Sequence, residues 1–112
     1  MQILLYYNYI LFYDHLCRYM KNNIIKIRRK LDSLDSKLLN IIKKRTILVD
    51  QVLKEKTSKN QIIDRRRIKV ILKNIKKKSS KKKIDTTLTK NIWRSMIKSY
   101  INYEFRNFKK KK

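Results

Sequence analysis

From Ile24 to Val52 the apolar residues recur in alternating steps of three and four, through Ile27, Leu31, Leu34, Leu38, Ile41 and Leu48. That period draws one apolar stripe along a helix, because 3.6 residues complete a turn. Neither Gly nor Pro occurs anywhere in the chain to interrupt it. One position breaks the stripe: Arg45 stands where an apolar residue between Ile41 and Leu48 belongs. A buried guanidinium without a partner is costly. Either the seam is open at that point, or something anionic meets Arg45. The periodicity predicts a first helix from about Asn23 to about Thr57. At 1.5 Å per residue it would be about 50 Å long, more than a compact domain of about 90 residues spans.

Two shorter helices follow. The polar stretch Thr57-Ser58-Lys59-Asn60 breaks the first pattern and leads to Asp64, a good N-cap. Ile68, Ile71, Leu72 and Ile75 then mark a second helix to about Lys77, and the Lys/Ser run 76–83 reads as a solvated loop or frayed end. Asp85-Thr86-Thr87 caps a third helix carrying Leu88, Ile92, Trp93, Met96, Ile97, Tyr100, Ile101 and Phe105. No stretch alternates like a strand, so the fold class is all-α. Two short helices cannot cover so long an amphipathic rod. The uncovered seam is expected to pair with a second copy, giving a homodimer built around the first helix.

Residues 1–19 differ from the rest: they are apolar and aromatic, and the charged composition opens at Met20. Their apolar run, Ile3 to Tyr13, is too short to span a bilayer. It lacks the basic start and small-residue cleavage site of a signal peptide. The expected organisation is an extension over 1–19, a functional domain over 20–108 and a basic tail over 109–112. For the extension, the preferred reading is a mis-assigned start with Met20 as the true one. The alternative is a loosely attached apolar helix. No membrane association is expected.

Composition changes the picture in two ways. Lys and Arg number 32 against 8 acids, a formal net charge of +24, and nucleic acid is the first partner such a charge suggests. Yet Ala is absent along with Gly and Pro, while Lys, Ile, Asn and Tyr abound. An AT-rich coding bias explains most of the Lys excess. The aromatics Trp93, Tyr100 and Phe105 lie on the apolar stripe of the third helix rather than beside the charges. The second change is an exclusion. One Cys and one His leave no disulfide framework, no zinc cluster and no His-based triad, and cytoplasmic residence is the default. No metal and no cofactor are expected.

The remaining charges fall at informative angles. Arg45 and Lys56 are eleven residues apart, and at about 100° per residue they share a helical face. Arg28 and Arg45 are seventeen apart and point about 100° away from each other. One protomer could not use all three in one compact site, whereas a dimer could, with Arg28 reaching the partner's site. Arg67 begins the second helix just after Asp64, and Glu104 lies in line with Ile97, Tyr100 and Ile101. Several inward cations and one inward acid suggest a pocket for a small polyanion. The competing reading is that Arg45 and Lys56 extend to the surface and Glu104 pairs with one of them.

These residues, in this order, resemble the all-helical chorismate mutase family. The matching blocks are Arg28, Leu34-Asp35, Leu38-Leu39, Arg45 and Lys56; then Ile63-Asp64-Arg65-Arg66-Arg67; then Ile92-Trp93-Arg94 through Met96-Ile97 to Glu104. The resemblance covers about residues 22–106. It implies a three-helix protomer with one long N-terminal helix, in an intertwined homodimer. It also implies conversion of chorismate to prephenate by a concerted [3,3] rearrangement, within phenylalanine and tyrosine biosynthesis. By this carry-over Arg45 clamps one substrate carboxylate and Arg28 of the other protomer clamps the second. Lys56 donates to a carboxylate and the ether oxygen, Arg67 supports the carboxylate side, and Asp64 meets the ring hydroxyl through its backbone. Glu104 stands where a donor to the ether oxygen is required, so it must carry a proton. Activity is then expected to fall as pH rises, and Glu104→Gln to flatten the profile.

Two positions depart from the mutase pattern. Ile68 follows Arg67 where mutases usually place a Glu, and Tyr100 stands where a small residue is common. Both choices are closer to isochorismate-pyruvate lyase, a relative of the same fold, which is the alternative reading. A basic helical nucleic-acid-binding protein is the second alternative. A purely structural coiled coil is the third, and it leaves Arg45 unexplained.

Overall fold

A computed structural model describes residues 2–109. Its order is α1 (Gln2–Glu55), a 3-10 turn (Lys59–Gln61), α2 (Arg65–Lys81) and α3 (Thr86–Asn107). No strand occurs among the described residues, in agreement with the all-α expectation. Residues 110–112 of the expected basic tail lie outside the described residues. No described helix is long and apolar enough to cross a membrane.

The helix expected to open near Asn23 is already helical at Gln2. The physical reason is the uninterrupted chain: nothing between Gln2 and Asn23 removes a backbone donor or favours a left-handed turn. The chain divides into two units, one ending at Arg45 and one beginning at Thr46. In the first unit every described residue up to Lys44 is exposed, and Arg45 is half-buried. The apolar stripe is therefore open within this unit, with Leu34 58% and Leu38 52% exposed.

The second unit comprises the end of α1, the 3-10 turn, α2 and α3. Its most buried apolar side chains are Ile62, 3% exposed, and Leu53, 8% exposed. Half-buried Ile68, Ile71, Leu72 and Ile75 on α2, and Trp93, Met96, Ile97, Tyr100 and Ile101 on α3, supply the rest of the apolar packing. At the 3-10 turn the side-chain oxygen of Gln61 accepts from the Thr57 N–H at 2.6 Å and the Ser58 N–H at 3.3 Å. Those two donors lose their helical partners where α1 stops, and Gln61 satisfies both.

Both predicted N-caps are present. The Asp64 carboxylate accepts from the Arg67 N–H at 2.9 Å. The Asp85 carboxylate accepts from the Thr87 and Leu88 N–H groups at 2.8 and 3.1 Å. An aspartate at this position also suits the positive end of the helix dipole.

The Lys/Ser run 76–83 corrects the expected loop: α2 continues through it to Lys81. Lys is a good helix former, and Lys78 and Lys81 meet the negative end of the dipole. Ser79 is buried and donates to the Thr89 hydroxyl at 2.8 Å, which fastens this last turn to α3. The helix then closes with a Schellman motif: Ile84 N–H donates to Ser79 C=O at 2.9 Å and Lys83 N–H to Ser80 C=O at 3.1 Å. Lys83 sits at φ 56°, in the left-handed region where a Cβ is unfavourable. Lys83→Gly is therefore expected to stabilise the protein by about 1 kcal/mol. Thermal unfolding followed by circular dichroism checks this, and an unchanged or lower midpoint would contradict it.

Candidate active site

The site is built where the end of α1 meets α3. On α1, Thr46, Asp50 and Leu53 are spaced i, i+4, i+7 and so lie on one face. On α3, Tyr100, Tyr103 and Glu104 are spaced i, i+3, i+4 and also share a face. Three polar links join the end of α1 and the residue after it to α3, taken in the same order along both helices. The Thr46 and Tyr100 hydroxyls are 2.7 Å apart. The Tyr103 hydroxyl donates to Asp50 Oδ1 at 2.8 Å. Lys56 Nζ, just past the end of α1, donates to Glu104 Oε1 at 3.0 Å. Tyr and Lys suit this bridging because both carry a polar tip on a long side chain.

The Lys56–Glu104 pair is the innermost of the three. Glu104 is 7% exposed, and the Lys56 side chain 16%. A charge so far from water persists only with a partner of opposite sign. Pairing of Glu104 with Arg45 or Lys56 belongs to the competing reading of these charges, and in the structure the partner is Lys56. The Tyr103 phenol is held above its usual 10.0. The first cause is its hydrogen bond to Asp50, which the ionised phenol could not donate; desolvation and the Asp50 charge add to this, and Arg106 opposes it. The Tyr100 and Tyr103 rings pack edge to face, with centroids 6.2 Å apart, an arrangement that favours the ring quadrupoles.

An open groove of about 610 Å³ lies beside this pair, and Lys56 and Asp64 both line it, with Val52, Glu55, Gln61, Ile63 and Arg65. Two of the predicted site residues thus share one concavity, Glu104 adjoins it through its bond to Lys56, and Tyr100 is not among the lining residues. Arg67 is exposed in the first turn of α2 and is not among the groove's lining residues. Its backbone, rather than its guanidinium, has the clear structural role, donating to Asp64. Ile68, one residue on, is half-buried. Arg28 and Arg45 belong to the first unit, the former exposed and the latter half-buried.

Thr46, Asp50 and Tyr103 were not anticipated. Their signal lay in spacing: an acid and a hydroxyl four residues apart on an otherwise apolar helix end, and a second tyrosine one turn after Tyr100. A lysine beside a buried carboxyl group, bordering an open groove, can bind a carboxylate or stabilise negative charge on an ether oxygen.

Comparison with known families gives one match: residues 27–105 fit the family described as chorismate mutase type II. Comparison with curated proteins and with solved structures gives no match.

Proposed function

Because the chain belongs to the chorismate mutase type II family, we propose that it converts chorismate to prephenate by a concerted [3,3] rearrangement. The observation that carries this reading is the Lys56–Glu104 pair at 3.0 Å. The rearrangement breaks the C–O bond of the enolpyruvyl ether while a C–C bond forms, with no proton or electron supplied from outside. The protein's task is to fold the substrate arm over the ring and to meet the charge growing on the ether oxygen. Lys56 is the donor for that charge and for a carboxylate. Glu104, which accepts from Lys56 in the resting protein, would have to carry a proton with substrate bound, and is then the second donor. Arg45 clamps one substrate carboxylate bidentately, and Arg28 of a second copy clamps the other. Arg67 assists on the carboxylate side, the Asp64 backbone receives the ring hydroxyl, and Tyr100 bounds the substrate opposite.

The second copy follows from the stripe on α1. Leu31, Leu34, Leu38 and Ile41 are each at least half exposed, a run of apolar surface that water-soluble monomers seldom leave open. Pairing the long first helices of two protomers buries it. The same pairing brings in Arg28, turned away from Arg45 on its own helix.

A second reading has its own observation. Ile68 offers no acid after Arg67, and Tyr100 is a large side chain held by Thr46 at 2.7 Å. An apolar and narrowed ring site suits isochorismate, whose hydroxyl lies elsewhere on the ring, with loss of pyruvate as the outcome.

The pH profile of chorismate turnover tests the site. If Glu104 acts as a donor, wild-type kcat is expected to fall as pH rises. Glu104→Gln donates at every pH and should hold kcat level over the same range. A Glu104→Gln protein inactive at all pH values would contradict the donor role.

A further inference from the structure

We infer that Asp50 and Tyr103 are positioning residues, whose hydrogen bond fixes the rotation of α3 that aims Glu104 at Lys56. This inference rests on the mutase reading of the Lys56–Glu104 site. Tyr103 immediately precedes Glu104, so the two share the rigid backbone of one helical turn. Asp50 lies within the last two turns of α1, close before the point where the chain leaves the helix and delivers Lys56. The bond between them, 2.8 Å long, therefore ties together the two short segments that present the donors. A helix held only by apolar contacts can turn by some degrees at little cost, because those contacts are non-directional. A hydrogen bond is directional and weakens steeply when misaligned. The edge-to-face packing of Tyr103 on Tyr100 and the Thr46–Tyr100 hydroxyl contact hold the preceding turn in the same way. Glu104 is thereby fixed from its N-terminal side by two bonds, of which the Asp50–Tyr103 one involves no residue placed against the substrate.

Asp50 serves this purpose as an acceptor, not as a charge. An amide oxygen at the same place accepts the same hydrogen bond. That distinction separates a positioning role from general electrostatic support, and it supplies the conservative variant for the test.

The experiment measures kcat and KM for chorismate in wild type, Tyr103→Phe, Asp50→Ala, Asp50→Asn and the double variant Asp50→Ala/Tyr103→Phe, with melting curves for each. Tyr103→Phe and Asp50→Ala are expected to lower kcat about tenfold with KM within about twofold, since a misaimed donor costs one charged hydrogen bond in the transition state. The double variant should lose no more than either single one, because both remove the same bond. Asp50→Asn should stay within about threefold of wild type. A Tyr103→Phe protein with unchanged kcat overturns the inference, and so does a rise in KM alone, which would make Tyr103 a substrate contact. Asp50→Asn as impaired as Asp50→Ala, with an unchanged melting curve, also overturns it. Wild type that turns over no chorismate defeats the mutase reading itself, a result separate from any of these.

Discussion

Lys56→Ala is expected to lower kcat/KM for chorismate by about 10²–10³-fold, the usual effect of deleting one donor to a developing oxyanion. The lysine has two roles, and the variant removes both. In the proposed reaction it meets the ether oxygen as that atom gains charge in the transition state. In the resting protein it neutralises Glu104, which is only 7% exposed. Removing one partner of such a pair leaves a buried charge and is destabilising, whereas removing both charges costs much less. A second substitution separates the effects. Lys56→Ala/Glu104→Gln should regain most of the melting temperature lost by Lys56→Ala, because no unpaired carboxylate remains. It should regain no activity. Recovery of both together would mean that Lys56 acts on stability alone.

Mixing two inactive variants is expected to restore activity. In the proposed homodimer, Arg28→Ala and Lys56→Ala should each disable every site. In a mixed dimer, one site receives Lys56 from the first protomer and Arg28 from the second, and both are intact. The other site lacks both. If chains exchange freely, half of the dimers are mixed and about a quarter of the sites recover, so activity should return to about a quarter of wild type. The open stripe on α1 supplies the reason to expect the exchange, since every copy of the chain carries the same exposed apolar residues. No recovery, from variants that sediment as dimers, would mean that Arg28 serves its own protomer or none. Leu34→Glu and Leu38→Glu place charges in the stripe and should both dissociate the dimer and lower activity. Sedimentation velocity and the chorismate assay read the two effects in one sample.

Much of the second unit was legible because its signals are local. Asp64 and Asp85 announce their helices through the backbone donors they cap, and a cap needs only the next three residues. The end of α2 was not legible. A left-handed C′ position usually carries Gly, and here it carries Lys83, so the turn looked like more of the lysine run. The first helix was placed from its stripe, but its start was set too late. The change from apolar to charged residues at Met20 is a change of side chains, to which the backbone is indifferent.

The candidate site was legible to the extent that its charges are rare in type or place. Glu104 is one of eight acids and falls in line with an apolar stripe, so its burial followed, while its pairing with Lys56 belonged to the competing reading. Asp50 gave no such warning, because its partner Tyr103 lies 53 residues away in sequence. Only the geometry of two helix faces brings them together. Arg67 illustrates the opposite case: its place in the sequence suggests a site, and its exposure leaves that role to be tested. Arg67→Ala is expected to raise KM modestly while sparing kcat, as removal of an exposed cation on the carboxylate side should.

Chorismate is expected to become prephenate at the Lys56–Glu104 site. The most direct measurement is proton NMR of the purified protein incubated with chorismate and, separately, with isochorismate. Prephenate should form from chorismate at a rate proportional to protein concentration, and its formation should be lost in Lys56→Ala. Salicylate and pyruvate from isochorismate, with chorismate left unchanged, would contradict it in favour of the lyase. Turnover of neither substrate would contradict both.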